Sequence, residues 1–307
     1  EIDTIMTPRD SMLYYKKFFR AGLLSIEPQT GHVKAWVGGI NHKHFKYDHV
    51  RQGRRQVGST FKPFLYTTAI DQLKYSPCDT MPDAFFCIAA GKYGLLKEWC
   101  PKNSDGKYKG MMSLKSALAG SVNTISARLM DKVGPENVVQ MAHNLGIKSD
   151  IDALPSIALG TVDLNLFEMV NSYGTLANQG VYTKPVIIAR IEDKNGNVLY
   201  QSTPESKDVL SKESAYVAVK LMEGVTDFGS GRRLRTGKNT WSPAYKKGVI
   251  TGHPYQFTNP IAGKTGTTQN NSDGWFMGMV PNLVTGVWVG AEDRAVHFGS
   301  TTYGQGA

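Results

Sequence analysis

Strand-like patterns of apolar residues stand near both ends of the chain. Residues 22–39, "GLLSIEPQTGHVKAWVGG", hold two apolar runs around a turn at 28–31, which predicts a β-hairpin. Near the other end, the segments 261–268, 274–281 and 283–293 alternate or run apolar, with a Pro-Asn turn between the last two. These segments predict adjacent antiparallel strands, so we expect one sheet assembled from both ends of the chain.

The middle of the chain has a helical pattern. Phe61, Leu65, Ala69 and Leu73 recur every four residues and define one apolar stripe. Pro63 fits the first turn of this helix, where its missing N–H is not needed. Four more helices are predicted, at 112–120, 124–134, 134–147 and 163–180. Five successive helices indicate a mostly α-helical unit.

The spacing of apolar residues changes again after residue 185, from a helical to a strand-like pattern. Residues 186–201 predict a hairpin about Asn195-Gly196, and residues 211–225 predict an amphipathic helix. A polar loop rich in glycine and proline is expected from 230 to 260. The economical fold class is α+β, an antiparallel β-sheet flanked by helices, with a mostly α-helical subdomain inserted.

This pattern also predicts the domain organisation. We expect residues 1–20 to be an N-terminal linker segment and residues 21–307 to form one domain, which is long enough to bury a full core. Within the domain, the α/β part covers about 21–58 and 186–307, and the helical subdomain covers about 59–185.

Composition and charge are those of an ordinary soluble protein, with 41% hydrophobic and 20% charged residues. The net charge of +9 comes from scattered Lys and Arg, and the densest spots, Arg54-Arg55 and 232–235, hold only two or three charges each. We therefore expect no nucleic-acid partner. The chain starts at Glu1 rather than Met and has no apolar run of 18 residues, so we expect an excised piece of a longer protein.

Three cysteines, Cys78, Cys87 and Cys100, lie in one short region. They form no CxxC pair and have no histidine nearby, so the spacing does not indicate zinc. A hairpin turning near 92–94 would set Cys87 opposite Cys100. A disulfide there implies an oxidising compartment, and buried free thiols are the equally weighted alternative.

A candidate nucleophile, Ser59, precedes Lys62 by about one helical turn, so the amine can reach the hydroxyl. Ser104 and Lys107 have the same spacing by chance. Ser59 differs because it follows a turn-forming Gly58 and opens a helix, whose free N–H groups can stabilise an oxyanion. The alternative is an N-cap serine beside a surface lysine.

Two further motifs strengthen the chemical interpretation. Ser121-Val122-Asn123 lies between two helices and is the only S-x-N in the chain, although Asn123 could also cap the next helix. The segment 264–267, "KTGT", is expected on an exposed edge of the sheet, where Gly266 would let a ligand approach closely. The similar Arg235-Thr236-Gly237 lacks the lysine and is discounted.

Three rival interpretations are weaker. Gly263-Lys264-Thr265 resembles the end of a P-loop, but position 258 is Thr and no good helix follows. Histidines 42, 44 and 49 lack a supporting cluster of metal ligands, so we predict no metal site and no cofactor. A Ser-His-Asp hydrolase is disfavoured because no histidine is positioned by a motif and no G-x-S-x-G elbow occurs.

The ordered set S-x-x-K, S-x-N and K-T-G is the signature of penicillin-binding proteins and serine β-lactamases. Beyond the motifs, "SIEPQTGHVKAWVGG", "RRQVGSTFKPFLYTTAID", "MSLKSALAGSVNT", "AGKTGTTQNNSDGWFMG" and "VTGVWVGAED" resemble the transpeptidase domain of class A (bifunctional) penicillin-binding proteins. The resemblance covers nearly the whole chain from about Ala21.

Residue chemistry and the resemblance together suggest a mechanism for a serine acyl-enzyme. Lys62 is the candidate base and must be neutral, and burial together with the second cation, Lys264, would lower its pKa. By family analogy, Ser121 relays a proton between the two lysines, and Asn123 holds the substrate amide.

The resemblance also implies how the substrate is bound. Thr265 and Thr267, helped by the charge of Lys264, would hold the donor carboxylate, and the backbone N–H groups of Ser59 and Thr267 would form the oxyanion hole. Gly266 belongs to the same substrate-binding strand.

The resemblance further implies the reaction, which is D,D-transpeptidation of peptidoglycan stem peptides with release of D-Ala. Thr161 stands where class A β-lactamases have the glutamate that activates a deacylating water, so we expect slow hydrolysis and long-lived β-lactam adducts. The alternatives are a D,D-carboxypeptidase and a β-lactam sensor without turnover.

Full-length relatives carry a glycosyltransferase domain and a membrane anchor and face the outside of the cytoplasmic membrane, which implies an extracytoplasmic location in the bacterial cell envelope. Relatives also continue past the final "HFGSTTYGQGA" into a helix that packs on the sheet, so we expect an uncovered apolar sheet face in this chain.

Overall fold

The computed structural model describes residues 3–235 and 257–299. In chain order the helices are α1 Pro8–Lys16, α2 Lys62–Leu73, α3 Leu114–Ala119, α4 Asn123–Val133, α5 Pro135–Leu145, α6 Leu166–Ala177 and α7 Lys212–Asp227. The strands are β1 Phe19–Ile26, β2 Val33–Val37, β3 Arg54–Gln56, β4 Thr80–Asp83, β5 Gly110–Ser113, β6 Asp163–Asn165, β7 Val181–Thr183, β8 Arg190–Glu192, β9 Val198–Gln201, β10 Ser206–Asp208, β11 Ala262–Thr267, β12 Asp273–Val280 and β13 Leu283–Ala291.

The largest sheet has five antiparallel strands in the order β11-β12-β13-β1-β2. Strands from the two ends of the chain meet where β1 pairs with β13, and Leu24 lies opposite Gly286. The hairpin of β1 and β2 and the adjacency of β11, β12 and β13 are confirmed. Helices α6 and α7 pack against this sheet, so the α+β fold class is also confirmed.

Helix α2 is the centre of the helical unit. All residues from Lys62 to Ile70 are buried, so the helix is surrounded by protein rather than amphipathic. Of the predicted stripe, Leu73 is 44% exposed because the helix ends there, at a left-handed Lys74. The five successive helices α2 to α6 agree with the predicted helical unit, which also contains short strands.

The predicted start of α6 at Asp163 is wrong. Residues Asp163–Asn165 form β6, which pairs with β3, and the helix begins only at Leu166. The side chain of Asn165 then caps the helix by accepting a hydrogen bond from the Glu168 N–H at 2.8 Å. Arg54, which lies opposite Asn165, is 111 residues earlier in the chain, so this pairing leaves no local signal in the sequence.

The N-terminal segment contains more structure than the predicted linker. Thr7 caps α1 by accepting from the Asp10 N–H, and β1 begins at Phe19, before the predicted boundary at residue 21. Helix α1 nevertheless contributes no buried residue. The division of the chain at about residue 21 stays a prediction.

The cysteine-bearing segment is a hairpin, as predicted. Ile88 and Trp99 form an antiparallel bridge, and Cys87 is bonded to Cys100. The alternative of two free thiols is therefore wrong for this pair, and Cys78 is free and exposed. Glu98 lies beside the two sulfurs, which are unavailable to a metal as long as they are bonded to each other.

Some of the sequence predictions concern residues that the structure does not describe. The loop expected from 230 to 260 lies mostly outside the described residues, as do Thr236, Gly237 and residues 300–307.

Two elements predicted after residue 185 are confirmed. They are the hairpin of β8 and β9 and the helix α7, which is capped by Ser211. Among the described residues, no helix is long and apolar enough to cross a membrane.

Candidate active site

A cleft of about 190 Å³ lies between the edge strand β11 and the helical unit. Four of the predicted site residues, Ser59, Ser121, Thr265 and Thr267, line it. They come from three segments that are far apart in the chain. The cleft is therefore the place where the three motifs converge.

Ser59 lies in a single 3-10 turn, Gly58–Phe61, that precedes α2. The expectation that Ser59 opens the α-helix itself is therefore corrected by one turn, and Ser59 makes no capping hydrogen bond. The hydroxyl of Ser59 makes no hydrogen bond with residues 3–235 or 257–299. It is half-buried at the cleft, where a ligand can reach it.

Gly58 allows this turn to sit against β11. Its φ is +54°, and a Cβ there would lie only 2.7 Å from the carbonyl oxygen of Thr267. The Gly58 N–H donates to the carbonyl of Gly160 at 3.0 Å, which anchors the turn from the other side. The close approach brings the Ser59 backbone beside the end of the K-T-G strand.

Lys62 is fully buried, so it is not the surface residue of the alternative interpretation. Its Nζ lies 2.6 Å from the carbonyl oxygen of Ser121 and 2.6 Å from Asn123 Oδ1. A third contact, at 3.2 Å, is with Ser121 Oγ. The amine therefore joins the S-x-x-K and S-x-N motifs directly.

Lys264 approaches the same hydroxyl from the sheet. Its side chain is fully buried, and its Nζ lies 3.0 Å from Ser121 Oγ and 3.0 Å from the carbonyl oxygen of Thr265. Strand β11 is at the edge of the sheet, as predicted, but residues from Ala262 to Gly266 are buried. The expected exposed edge is thus covered, because α7 and the Ser59 turn pack against it.

Ser121 lies between the two lysines in a left-handed backbone conformation, with a φ of +55°. This conformation is uncommon for a residue with a side chain and costs on the order of 1 kcal/mol. Both lysine amines, from Lys62 and Lys264, contact its hydroxyl. The unfavourable backbone conformation is therefore found at the point where the two amines meet.

Burial sets the protonation of the two lysines. It lowers the pKa of Lys62 well below the ordinary value, and the neighbouring charge of Lys264 lowers that pKa further. Burial also lowers the pKa of Lys264 to about 7. We assign the neutral form to Lys62 because two effects oppose its charge and only one opposes the charge of Lys264.

Asn123 is the first residue of α4 and does not cap it through its side chain. Its Oδ1 accepts from Lys62, and its Nδ2 donates to the carbonyl of Lys102 at 2.8 Å. The cap comes from elsewhere, since Asn103 Oδ1 accepts from the N–H groups of Asn123 and Thr124. The capping alternative for Asn123 is therefore wrong.

Asn103 and Asp83 are supporting residues that the sequence did not reveal. The buried Asp83 carboxylate accepts from Asn103 Nδ2 at 2.7 Å and from Thr124 Oγ1 at 2.6 Å. This network holds the start of α4, and with it Asn123, at a fixed position below the cleft. No local pattern could indicate contacts across 20 and 41 residues.

The threonines of the K-T-G-T segment face the cleft, and Gly266 lies against the Ser59 segment. A Cβ on Gly266 would lie 2.8 Å from Val57 O and from Thr60 Cγ2, so the missing side chain makes room for the Ser59 segment. Thr265 Oγ1 lies 2.5 Å from the Oγ of Ser230, a further site residue that the sequence analysis missed. A role of Gly266 toward a ligand can only involve its backbone.

Ser104, the chance match, also lines the cleft. Its partner by spacing, Lys107, is exposed, and the hydrogen bonds of Lys107 are made by its backbone, to Asp105 and Asn103. Ser104 therefore lacks the buried amine network that lies beside Ser59. Thr161 is exposed and donates to Ser156 Oγ at 3.0 Å.

The chain is similar to known proteins over most of its length. The family model described as "Penicillin binding protein transpeptidase domain" matches residues 22–293. The chain is 34% identical over 270 residues to penicillin-binding protein 1A of Aquifex aeolicus (strain VF5), which covers 87% of this chain and 34% of that protein. It is 34% identical over 281 residues to penicillin-binding protein 2D of Bacillus subtilis (strain 168), covering 90% and 38%.

Solved structures have the same fold. Penicillin-binding protein 1A from Haemophilus influenzae has a TM-score of 0.80 at 24% identity, over 93% of this chain and 45% of that chain. PonA1 from Mycobacterium tuberculosis in complex with penicillin V has a TM-score of 0.72 at 27% identity, over 92% and 73%. The chain spans 34% and 38% of the length of the two curated relatives named above. It belongs to the penicillin-binding protein transpeptidase family.

Proposed function

We propose that the chain is the catalytic domain of a peptidoglycan D,D-transpeptidase, which acts through an acyl-enzyme on Ser59. The observation that carries the proposal is the continuous line of contacts from Lys62 through Ser121 Oγ to Lys264, beside a serine hydroxyl that faces the cleft. An amine held neutral by burial next to an alcohol is a general base for acyl transfer.

In the acylation step, Ser59 Oγ attacks the carbonyl carbon of the penultimate D-Ala. The neutral Lys62 has two N–H bonds, and its two 2.6 Å contacts are with acceptors, Ser121 O and Asn123 Oδ1. Its lone pair is therefore the one proton-accepting position of the amine. It faces Ser121 Oγ at 3.2 Å in this structure, and the mechanism requires it to turn to Ser59 Oγ when the substrate is bound. Ser59 loses its proton to this amine, and a tetrahedral intermediate forms.

Collapse of the intermediate breaks the amide bond and releases D-Ala. The leaving nitrogen needs a proton, which Ser121 can donate while it takes one from Lys62 or Lys264, since both amines contact its Oγ. The backbone N–H groups of Ser59 and Thr267 are assigned to the oxyanion, because Gly58 holds these two segments in contact.

Lys264, Thr265, Thr267 and Ser230 are assigned to the donor carboxylate. The two threonines and Ser230 line the cleft, and the charge of Lys264 lies directly behind them. Hydroxyl donors backed by a buried cation favour a carboxylate over a neutral group. β-Lactams carry a carboxylate in a comparable position relative to their amide, so we expect them to acylate Ser59 as well.

Deacylation by an amine is favoured over deacylation by water. Of the described residues that line the cleft, Asp105 is the only one with a carboxylate, and it forms an ion pair with Lys109 at 3.4 Å. Thr161, at the position where class A β-lactamases have the hydrolytic glutamate, is exposed and donates a hydrogen bond to Ser156 Oγ. A water near the acyl-enzyme would therefore lack a free carboxylate to activate it.

The first prediction tests the reaction class. With a D-Ala-D-Ala stem peptide as donor and an amine-bearing stem peptide as acceptor, we expect cross-linked product to exceed hydrolysed donor by about tenfold. Quantitative mass spectrometry of both products measures the ratio. Hydrolysed donor alone would indicate a D,D-carboxypeptidase, and a stable adduct with neither product would indicate a sensor.

The second prediction concerns pH. For a donor with a free carboxylate, we expect the second-order acylation constant to rise with pH as Lys62 loses its proton. It should fall above about pH 7, because Lys264 loses the charge that binds the carboxylate. Stopped-flow acylation between about pH 5 and pH 10 measures both limbs.

A carboxyl-blocked ester of the same donor is the control for the pH profile. The acylation constant of the ester should still rise at low pH, because that rise depends on Lys62. It should not fall at high pH, because that fall depends on binding of the free carboxylate. Equal basic limbs for the free acid and the ester would contradict the role of Lys264.

The biological setting follows from the family and remains part of the proposal. The resemblance to class A penicillin-binding proteins implies a peptidoglycan substrate, so we assign the domain to the bacterial cell envelope, outside the cytoplasmic membrane. The bond between Cys87 and Cys100 fits an oxidising compartment. Since the chain spans 34% of the first of these relatives, we assign a glycosyltransferase domain and a membrane anchor to the longer protein.

A further inference from the structure

A second cavity, of about 390 Å³, lies where β1 begins and β13 ends. It shares no lining residue with the Ser59 cleft. Four cationic side chains line it, and they come from three separate segments of the chain: Arg20, Lys46, Arg54 and Arg55. The acyl-transfer mechanism uses none of them.

Arg20 is the buried cation of this cavity. It is only 5% exposed, and its guanidinium lies over the ring of Phe45, 3.6 Å from the centroid. Its Nη1 is buried and has no hydrogen-bond partner. The nearest carboxylate oxygen, on Glu292, is 3.7 Å from Nη2, which is too long for a hydrogen bond. A buried guanidinium with an unused N–H group lacks an acceptor.

Arg55, which also lines the cavity, likewise has a buried N–H group without an acceptor. Its Nε donates to Asp273 Oδ1 at 2.6 Å, but its Nη2 is buried without a partner. Asp273 has little capacity left, since Oδ1 also accepts from Trp288 Nε1 and Oδ2 accepts from Thr268 Oγ1. Each of the two guanidinium groups therefore keeps at least one buried nitrogen whose N–H groups have no acceptor in the protein.

The charge balance of the cavity is positive. Glu292 is the one carboxylate among the described residues that line it, and it also lies 3.8 Å from Lys16, while Asp273 pairs with Arg55 from behind. Burial, and then the charges of Arg20 and Arg55, lower the pKa of His49, which therefore adds no further cation at neutral pH. The cations around the cavity outnumber the carboxylates, which favours an anion with more than one negative charge.

We propose that this cavity is a binding site for a phosphate-bearing ligand, either a phosphate monoester or a pyrophosphate. The planar fork of a guanidinium can donate two parallel hydrogen bonds to oxygens of one phosphate group. A phosphate carries about −1.5 to −2 at pH 7, which balances the excess charge better than a single carboxylate. The rings of Phe45 and Tyr47 provide an apolar wall for the rest of the ligand.

The third prediction tests this site with inorganic pyrophosphate and the full 307-residue chain. Isothermal titration calorimetry should give saturable binding at one site. Arg20→Gln should weaken binding by at least about tenfold, because it removes a charged donor from a buried position. Lys46→Glu, on the exposed rim, should weaken it by about fivefold and leaves the buried part of the protein unchanged.

Lys43→Glu is the matched control, since Lys43 is an exposed lysine of the same loop that does not line the cavity. It should change the affinity by less than about twofold. If Lys43→Glu and Lys46→Glu lowered the affinity for pyrophosphate equally, the binding would reflect unspecific attraction to the net charge, and the proposal would be overturned. So would the absence of saturable binding to the unaltered chain.

Vesicles distinguish the source of the phosphate group. Vesicles of phosphatidylcholine with and without phosphatidic acid, whose headgroup is a phosphate monoester, are mixed with the chain, and pyrophosphate is added as a competitor. If the chain binds the anionic vesicles, and if both pyrophosphate and Lys46→Glu reduce this binding, the ligand is a lipid headgroup. Pyrophosphate binding without vesicle binding supports a soluble phosphate compound. The proposed site would be overturned if the chain did not bind pyrophosphate and if neither pyrophosphate nor Lys46→Glu reduced its binding to vesicles.

Discussion

Replacing Ser59 with alanine is expected to abolish the covalent adduct with penicillin and to lower acylation by at least about 10⁴-fold. The expected effect is large because the reacting oxygen itself is removed, and residues that act as one catalytic unit lose nearly all activity together. Intact-protein mass spectrometry after incubation with penicillin measures the adduct. The mass should shift in the unaltered chain and not in Ser59→Ala.

Ser104→Ala is the sharpest control for this result. Ser104 lines the same cleft and has the same S-x-x-K spacing, but it has no buried amine beside it. The variant should still carry the adduct, and peptide mapping should locate that adduct on Ser59. An adduct mapped to Ser104 or Ser121 would refute the assignment of the nucleophile.

Replacing Lys62 with methionine is expected to lower acylation by about 10³-fold, within the range for loss of a general base. Methionine keeps most of the buried volume but removes the lone pair that accepts the Ser59 proton. It also leaves Ser121 O and Asn123 Oδ1 without their 2.6 Å partner. We therefore expect a loss of about 1–3 kcal/mol in the free energy of unfolding, which urea denaturation measures.

Two variants separate a loss of base catalysis from a loss of structure. Asn123→Ala removes one of the same hydrogen bonds but keeps the amine, so it should destabilise the fold while acylation falls less than in Lys62→Met. Lys74→Met, at the exposed end of the same helix, should change neither stability nor acylation appreciably. If Lys62→Met were acylated at the normal rate, Lys62 could not be the base.

The identity of the reactive residues could be predicted from the sequence because each motif is short. Ser59 with Lys62, Ser121 with Asn123, and the K-T-G-T strand were all found from local spacing, and the structure brings them to one cleft. Spacing alone left several alternatives open, including capping serines and asparagines. The hydrogen bonds excluded these alternatives.

The supporting residues could not be predicted in the same way. Asn103 and Asp83 reach α4 from segments 20 and 41 residues away, and Ser230 meets Thr265 across 35 residues. The strand at Asp163–Asn165 was mistaken for a helix start because its partner, β3, lies more than a hundred residues earlier. Contacts of this kind depend on the folded chain and leave no periodic signal.

The sequence by itself determined the helical and strand periods and the residue types available for acyl transfer. These features are local, since they depend on side chains a few positions apart. Only the tertiary structure decided that Lys62 and Lys264 are fully buried around one hydroxyl, and that Gly266 makes room for the Ser59 segment. The physical reason is that a pKa and a close approach are set by atoms that distant segments bring together.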